Sequence, residues 1–444
     1  MKMIKTTLAL SGVLAAMTFA PEASAIPAFA RQVGMACSAC HFQHFPALNS
    51  FGRAFKEGGY TMVGAQEKIE GEGVSLPVVL NAALVTQAAY VKTNGTAVPA
   101  IAGLKNTNDG SLLIPNGASL FLAGRGGEHF GFEAEMQLAG SGTSSAASLL
   151  RLKVPFVFDV GSVKAGVVAF STNLGAADSF EVLNTGAVAV HAFNQNTGAM
   201  GGTNVISAAQ YIGTATNAAG VAFIASNDDF FANFAKWGAN TGAGGSGAPT
   251  SNYLRAAWTT GLIPGFDSAI GFQSWSGTSM ELANTVNAVN GIVDTKATAI
   301  DAQMMGDVAG MPLLIVASYA NAPATAAANL AAGMNVNMFN TNVMNKKSFN
   351  MGAELGVIPN KATVQLGFRR ASSGQDAGTL ATGVATGANA SDNAIMIGAT
   401  YAFALNARAN LTFTKNSGDI YNTANLAPNA LGSDMTALDV TFGF

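Results

Sequence analysis

Phe130-Gly131-Phe132-Glu133-Ala134-Glu135-Met136-Gln137-Leu138 places an apolar residue at every second position, with polar or very small residues between. Side chains of an extended strand point alternately to opposite faces, so this stretch carries one oily and one polar face. The same alternation runs through Leu150 to Asp159, Phe349 to Val357, Ala362 to Arg369 and Arg408 to Thr414. It begins near Leu76 and continues to the last strand, Thr436 to Phe444, which ends on an aromatic residue. A soluble sandwich also alternates, but it does not sustain the pattern over such a length with so few charges.

Charged residues make up 11% of the 444 residues, against roughly 25% in ordinary soluble domains. Hydrophobic residues reach 49% and the mean hydropathy is +0.30. Beyond the first twenty-five positions no uninterrupted apolar run approaches the roughly 18 residues that a membrane-crossing helix needs. An apolar, charge-poor chain without helical spans predicts a mostly β fold, a transmembrane antiparallel β-barrel of 16–18 strands embedded in outer-membrane lipid. Short links, such as Gly126 to His129, Asp159 to Ser162 and Pro359-Asn360, alternate with long ones at 93–115, 238–250, 277–296, 321–346, 372–391 and 417–433. That alternation assigns the short links to the periplasm and the long ones to the exterior. The strand count leans toward eighteen, with 195–237 the hardest stretch to divide. A net charge of -3 and the lack of any basic run exclude a nucleic-acid role.

The start of the chain is different in kind. Lys2 and Lys5 precede the apolar run Leu8 to Ala20, and Ala23-Ser24-Ala25 follows, so residues 1–25 read as a secretory signal peptide. Next comes Cys37-Ser38-Ala39-Cys40-His41, which holds both cysteines and one of the four histidines. Two thiols at this spacing can add across the vinyl groups of one porphyrin edge while the following imidazole binds iron, so the motif predicts one covalently attached haem c. Zinc would want its ligand pairs a dozen or more residues apart. A thioredoxin-like pair would want a βαβ unit, and a plain disulfide gives no reason for His41.

The chain therefore divides into the leader, a haem segment at 26–70 and a barrel at 75–444. Phe42, Phe45, Leu48, Phe51 and Phe55 recur at near-helical spacing and predict a short amphipathic helix that Gly58-Gly59 ends. Met62, beyond that turn, is the expected distal iron ligand opposite His41, with Met35 the alternative; His44 should project on the same side as His41. His/Met ligation raises the haem potential. Arg125, Glu133, Glu135, Arg151, Lys153, Arg255, Asp301, Glu354, Arg369, Arg408 and Asp439 fall at inward positions, where pairs such as Glu135 and Lys153 neutralise each other. Trp237, Trp258 and Trp275 read as girdle residues at the membrane interface. His129, in a short turn, and His191, in a strand, read as incidental.

Pro27, Phe29, Ala30 and Arg31 before the motif, and Pro46, Leu48, Asn49, Phe51, Gly52, Phe55, Gly59 and Tyr60 after it, resemble the haem segment of the fused monohaem cytochrome-porins of the outer membrane. The characterised members of that family are iron oxidases. The resemblance implies one-electron transfer from an extracellular donor, typically Fe(II), through the haem to a periplasmic carrier such as a soluble cytochrome c. A haem outside the lumen would be badly placed for an external donor, so residues 26 to about 70 are expected to plug the barrel. The alternatives are a diffusion porin whose haem-bearing plug is a gate or sensor, and a conduit that runs in the other direction or serves another donor.

Overall fold

The computed structural model describes residues 28–444 except 65, 73, 95–109, 141–147, 186–206, 240–247, 262, 282–290, 333–334, 383, 405 and 422–432. The leader, Pro27 and His191 lie outside the described residues. Two short strands, β1 (Lys68–Gly71) and β2 (Val74–Pro77), form a hairpin of their own. The barrel begins at β3 (Ala82–Thr93), a few residues later than the alternation suggests. It continues through β4 (Ser111–Arg125), β5 (Gly131–Gly140), β6 (Ser148–Val160), β7 (Val163–Thr172), β8 (Ala218–Ser226), β9 (Phe230–Gly238), β10 (Ser251–Thr260) and β11 (Phe266–Ser276). After β12 (Thr278–Glu281) and β13 (Gly291–Asp294) come β14 (Ala297–Val308), β15 (Met311–Ala322), β16 (Val336–Asn337), β17 (Lys346–Ile358), β18 (Ala362–Asp376), β19 (Asn389–Ala404), β20 (Ala407–Ser417) and β21 (Asp434–Gly443).

Sixteen of these strands close into one antiparallel barrel, with β21 returning to β3 through pairs such as Ala437 with Val91. The last residue takes part in the closure: Leu84 and Phe444 exchange backbone hydrogen bonds of 2.9 and 2.8 Å. Sixteen is the lower bound of the expected count, for two reasons. The described parts of 173–217 hold no strand but an inward-folded segment, and β12, β13 and β16 pair with one another within the long links.

Alternation in sequence becomes alternation in burial. Along β20 Leu411 and Phe413 point outward while Thr412 and Thr414 are buried inside. Charge on the outer face would cost about 2–4 kcal/mol per residue at the bilayer midplane, so most ionic side chains of the strands turn to the lumen. Arg151, Lys153, Arg255, Asp301, Glu354, Arg369 and Arg408 are all buried there. The chain is thus a porin-like transmembrane β-barrel of the bacterial outer membrane.

The tryptophans divide. Trp258 is 67% exposed on the outer face, but Trp237 and Trp275 are 0% and 2% exposed within the lumen. Strand parity is the reason: Trp237 shares its face with Asn233 and Ala235, and Trp275 packs on Tyr253 with ring centroids 5.0 Å apart. The inward segment adds Phe180, Val182, Leu183 and Ile212 to this luminal core.

Candidate functional site

Cys37–Cys40 forms a single helical turn, which brings the two thiols to one side of the chain. Both are free and partly buried, and burial pushes both pKa values up. His41 then leaves the helix with extended backbone and bridges to Leu48. Crowding around its imidazole holds the pKa down to about 4, so the ring is neutral near pH 7. Its buried Nδ1 faces the carbonyls of Pro46 and Ala47.

The helix expected from Phe42 starts only at Ser50 and runs to Glu57. Pro46 has no N–H to give a helix, and the Asn49 side chain caps the start by accepting from the Gly52 amide at 2.9 Å. The Asn49 amide also donates to the Ala39 carbonyl at 2.9 Å, so one side chain fastens the helix to the Cys37–Cys40 turn. The approach is close: a Cβ on Gly52 would stand 2.1 Å from the Cys40 carbonyl oxygen. Gly59, at φ +67°, ends the helix. Phe29 stacks on Tyr60 at 4.6 Å and meets Phe55 edge-on at 5.2 Å, giving the segment a small aromatic core.

Residues 28–64 contact the barrel wall from within, so the expected plug is where the sequence puts it. Its attachments gather near the short-turn end. His44 Nε2 lies 2.6 Å from Glu354, Arg53 pairs with Asp267 at 2.5 Å, Tyr60 donates to Glu133 at 3.0 Å, and Arg125 donates to the Thr61 carbonyl at 2.7 Å. The inward segment grips the other side. Leu48 N donates to Asn184 at 2.7 Å, and the Asn184 amide donates back to the Leu48 carbonyl at 2.9 Å. Lys56 lies over the Phe180 ring at 5.6 Å.

Between the plug and the wall is a cavity of about 420 Å³, within the roughly 300–1,000 Å³ of ordinary ligand sites. Phe29, Cys37, His41, Phe45 and Pro46 line it from the plug; Phe121, Glu133, Glu135 and Arg151 are among the wall residues facing them. It extends from Asn406 and Gly443, at the short-turn end, toward Asn173 at the far end of β7. Two thiols on one face, a neutral imidazole, and an aromatic-lined cavity that Cys37 and His41 border fit a covalently held haem c. Cys37, Cys40 and His41 would hold it.

The two candidate methionines lie away from the cavity. Met62 and Met35 are 38% and 39% exposed, and neither lines the cavity. The Met62 carbonyl instead accepts from Gln32 at 2.8 Å. The helix stops at Cys40, so the helical spacing expected to align His44 with His41 is absent. His44 Nδ1 lies 2.9 Å from Arg408, opposite the Glu354 contact. Glu135 and Lys153 are not partners either. The register sets Glu135 against Arg151, and Lys153 turns to Asp178 of the inward segment at 2.6 Å. Several luminal charges that read as mutual neutralisers, Glu354, Arg408 and Glu133, therefore also hold the plug. Asp178, Glu181 and Asn184 escaped sequence reasoning, since they lie on no alternating strand. His129 is exposed in its turn, its ring 4.7 Å from Phe158.

No family model and no curated protein matches this sequence. Solved structures do. The chain is similar to OmpF of Salmonella typhi, with 12% identity, 85% of this chain and 100% of that one covered, and a TM-score of 0.49. It is also similar to OmpT, an outer membrane protein of Vibrio cholerae, in a loop-deletion form, with 12% identity, 82% and 99% covered, and a TM-score of 0.48. DcaP, an outer membrane channel of Acinetobacter baumannii, gives 11% identity, 86% and 100% covered, and a TM-score of 0.46. The fold assignment rests on this chain's own strand pairing.

Proposed function

We propose that this protein carries single electrons through the outer membrane by way of one haem c held inside its barrel. The observation that supports the reading is that Cys37 and His41 border a cavity within the lumen. Bound there, haem c supplies a one-electron Fe(III)/Fe(II) couple. The chain's own residues do the rest. The thiols of Cys37 and Cys40 would hold the group covalently, neutral His41 would offer a nitrogen lone pair, and Phe29, Phe45 and Phe121 would keep water from it. The Arg53–Asp267 ion pair and the hydrogen bonds of His44 and Tyr60 keep the segment in the barrel. Extracellular Fe(II) is the donor that the resemblance to fused monohaem cytochrome-porins favours: it gives up one electron, Fe(III) is left outside, and a periplasmic carrier such as a soluble cytochrome c takes the electron. Rapid mixing of the oxidised, haem-loaded protein with Fe(II) tests this. Reduction of the haem is expected; no reduction removes Fe(II) as donor, and absence of covalent haem removes the conduit.

The second reading is a porin-like diffusion channel whose plug is a gate or sensor. Its support is the strand number, since barrels of sixteen strands are wide enough for an aqueous lumen. Planar-bilayer recordings separate the two: the conduit is expected to stay nearly closed, and steady single-channel currents from the intact protein would favour the channel.

A further inference from the structure

The outer face of the barrel changes character at the end that carries the long links. On β17, β18 and β20 an exposed aromatic residue is followed, two positions nearer that end and on the same face, by an exposed cation: Phe349 by Lys347, Phe368 by Arg370, and Phe413 by Lys415. Tyr90 and Lys92 on β3 repeat the arrangement. Aromatic girdles mark the level at which lipid tails give way to head groups, so these cations stand at head-group depth on the external side.

Lys347 and Arg370 belong together. The β17–β18 register sets Arg370 opposite Phe349, which makes the two cations diagonal neighbours on one face, roughly 7–8 Å apart along the sheet and within reach of one phosphate group. Beneath them the Phe349 and Phe368 rings meet at 6.3 Å. Neighbouring cations repel one another unless an anion lies between them.

Other basic residues have such an anion. Lys164 has Asp159 at 2.9 Å, Lys296 has Asp294 at 2.8 Å, and Arg369, the inward neighbour of Arg370, has Asp392 at 2.5 Å. Among the described residues Lys347 and Arg370 make no ion pair. The carboxylates of this rim are engaged elsewhere: Asp419 accepts from the amide and hydroxyl of Ser391 at 2.9 and 2.8 Å, and Asp376 accepts from the Thr379 and Gly387 amides at 2.8 and 2.6 Å. Asp434 stands opposite Lys415 in the β20–β21 register, which leaves Lys347 and Arg370 as the unbalanced pair.

We propose that Lys347 and Arg370 form a docking site for the phosphorylated head group of an outer-leaflet glycolipid. The guanidinium and the ammonium hold the phosphate, and the sugar that bears it rests on Phe349 and Phe368. The occupant is a lipid because both cations lie on the face that meets lipid, directly above rings at the membrane interface. The proposal is independent of the haem reading.

The full chain, folded in neutral detergent micelles doped with diphosphoryl lipid A, tests this by native mass spectrometry. The wild type is expected to retain lipid A, and the double variant Lys347→Gln, Arg370→Gln to retain it at least roughly tenfold more weakly. If the double variant does not assemble, Arg370→Gln alone should weaken retention in the same direction. Lys361→Gln, which removes a lone cation over the Tyr401 ring at the short-turn end, should match the wild type. Lipid A stripped of its phosphates should be retained no better by the wild type than by the double variant, and excess inorganic phosphate should not displace the intact lipid. Equal retention by wild type and variant, undiminished retention of the stripped lipid, or complete displacement by inorganic phosphate would overturn the proposal.

Discussion

His44 Nε2 stands 2.6 Å from the carboxylate of Glu354, joining positions 310 residues apart. The same carboxylate accepts from Thr363 at 2.6 Å and Gln365 at 3.0 Å, so the barrel wall prepares the acceptor that the plug then uses. Glu354→Ala strands three buried groups at once. Breaking a buried pair on one side costs about 3–5 kcal/mol, and here the loss falls on the plug, because the strand ladder stays intact. Limited proteolysis should leave the barrel resistant while residues 41–57 become cleavable. Unaltered protection of that stretch would show that the contact does not anchor it.

Gly52 and Gly58 make a paired test of the haem segment. A methyl group at Gly52 would collide with the Cys40 carbonyl at 2.1 Å, whereas at Gly58 it would meet the Ala54 carbonyl at an ordinary 3.4 Å. Gly52→Ala should push the helix off the Cys37–Cys40 turn and cut covalent haem incorporation severalfold. Gly58→Ala should leave incorporation near wild type. Equal haem staining of the two variants would contradict the packing described.

The helix that carries Arg53 should respond to pH in two directions. Burial pushes the Glu57 carboxyl from its ordinary 4.5 up to about 7. The folded segment therefore holds a proton that the unfolded one gives up; this contribution is fully present below about pH 4.5 and is lost as pH rises through about 7. Burial lowers Lys56 from 10.5 to about 8, so the segment gains stability again as pH climbs from about 8 toward 10.5. Urea titrations read by protease protection of the segment should show a minimum between about pH 7 and 8. Glu57→Gln should remove the fall on the acid side and keep the rise on the alkaline side; a wild-type profile that is flat from acid to alkali would contradict both shifts.

Only one tryptophan should sense lipid. Trp258 is 67% exposed outward, while Trp237 and Trp275 are buried in the lumen. In bilayers containing brominated lipid, Trp258→Phe is expected to abolish most of the quenching of tryptophan fluorescence. Quenching that survives this substitution but falls in Trp275→Phe would reverse the assigned faces of β10 and β11.

The barrel was legible because its physics repeats: a lipid-facing residue at every second position leaves a trace in every strand, and Phe130 to Leu138 is enough to read it. Cys37, Cys40 and His41 stood out because haem attachment, the chemistry proposed for them, dictates their spacing. Other features had no local signature. Asp178, Glu181 and Asn184 lie on an inward excursion where neither a two-residue nor a helical period applies, and that excursion, with β12, β13 and β16 pairing apart from the barrel, accounts for the surplus strands in the count. Trp237 and Trp275 look like girdle residues near strand ends until register decides which face they take. Met62 was chosen by chain length alone, which carries no trace of the Gln32 side chain, whose amide holds the carbonyls of Tyr60 and Met62 at 2.7 and 2.8 Å.

The most direct test of the conduit uses sealed vesicles carrying the haem-loaded protein with its external loops outward and an impermeant oxidant trapped inside. Fe(II) added outside should reduce the trapped oxidant, and the vesicles should retain small solutes throughout. The variant in which Cys37 and Cys40 are both alanine should transfer nothing. No reduction with the wild type, or equal reduction with the alanine variant, would contradict electron transfer through a haem held in this barrel.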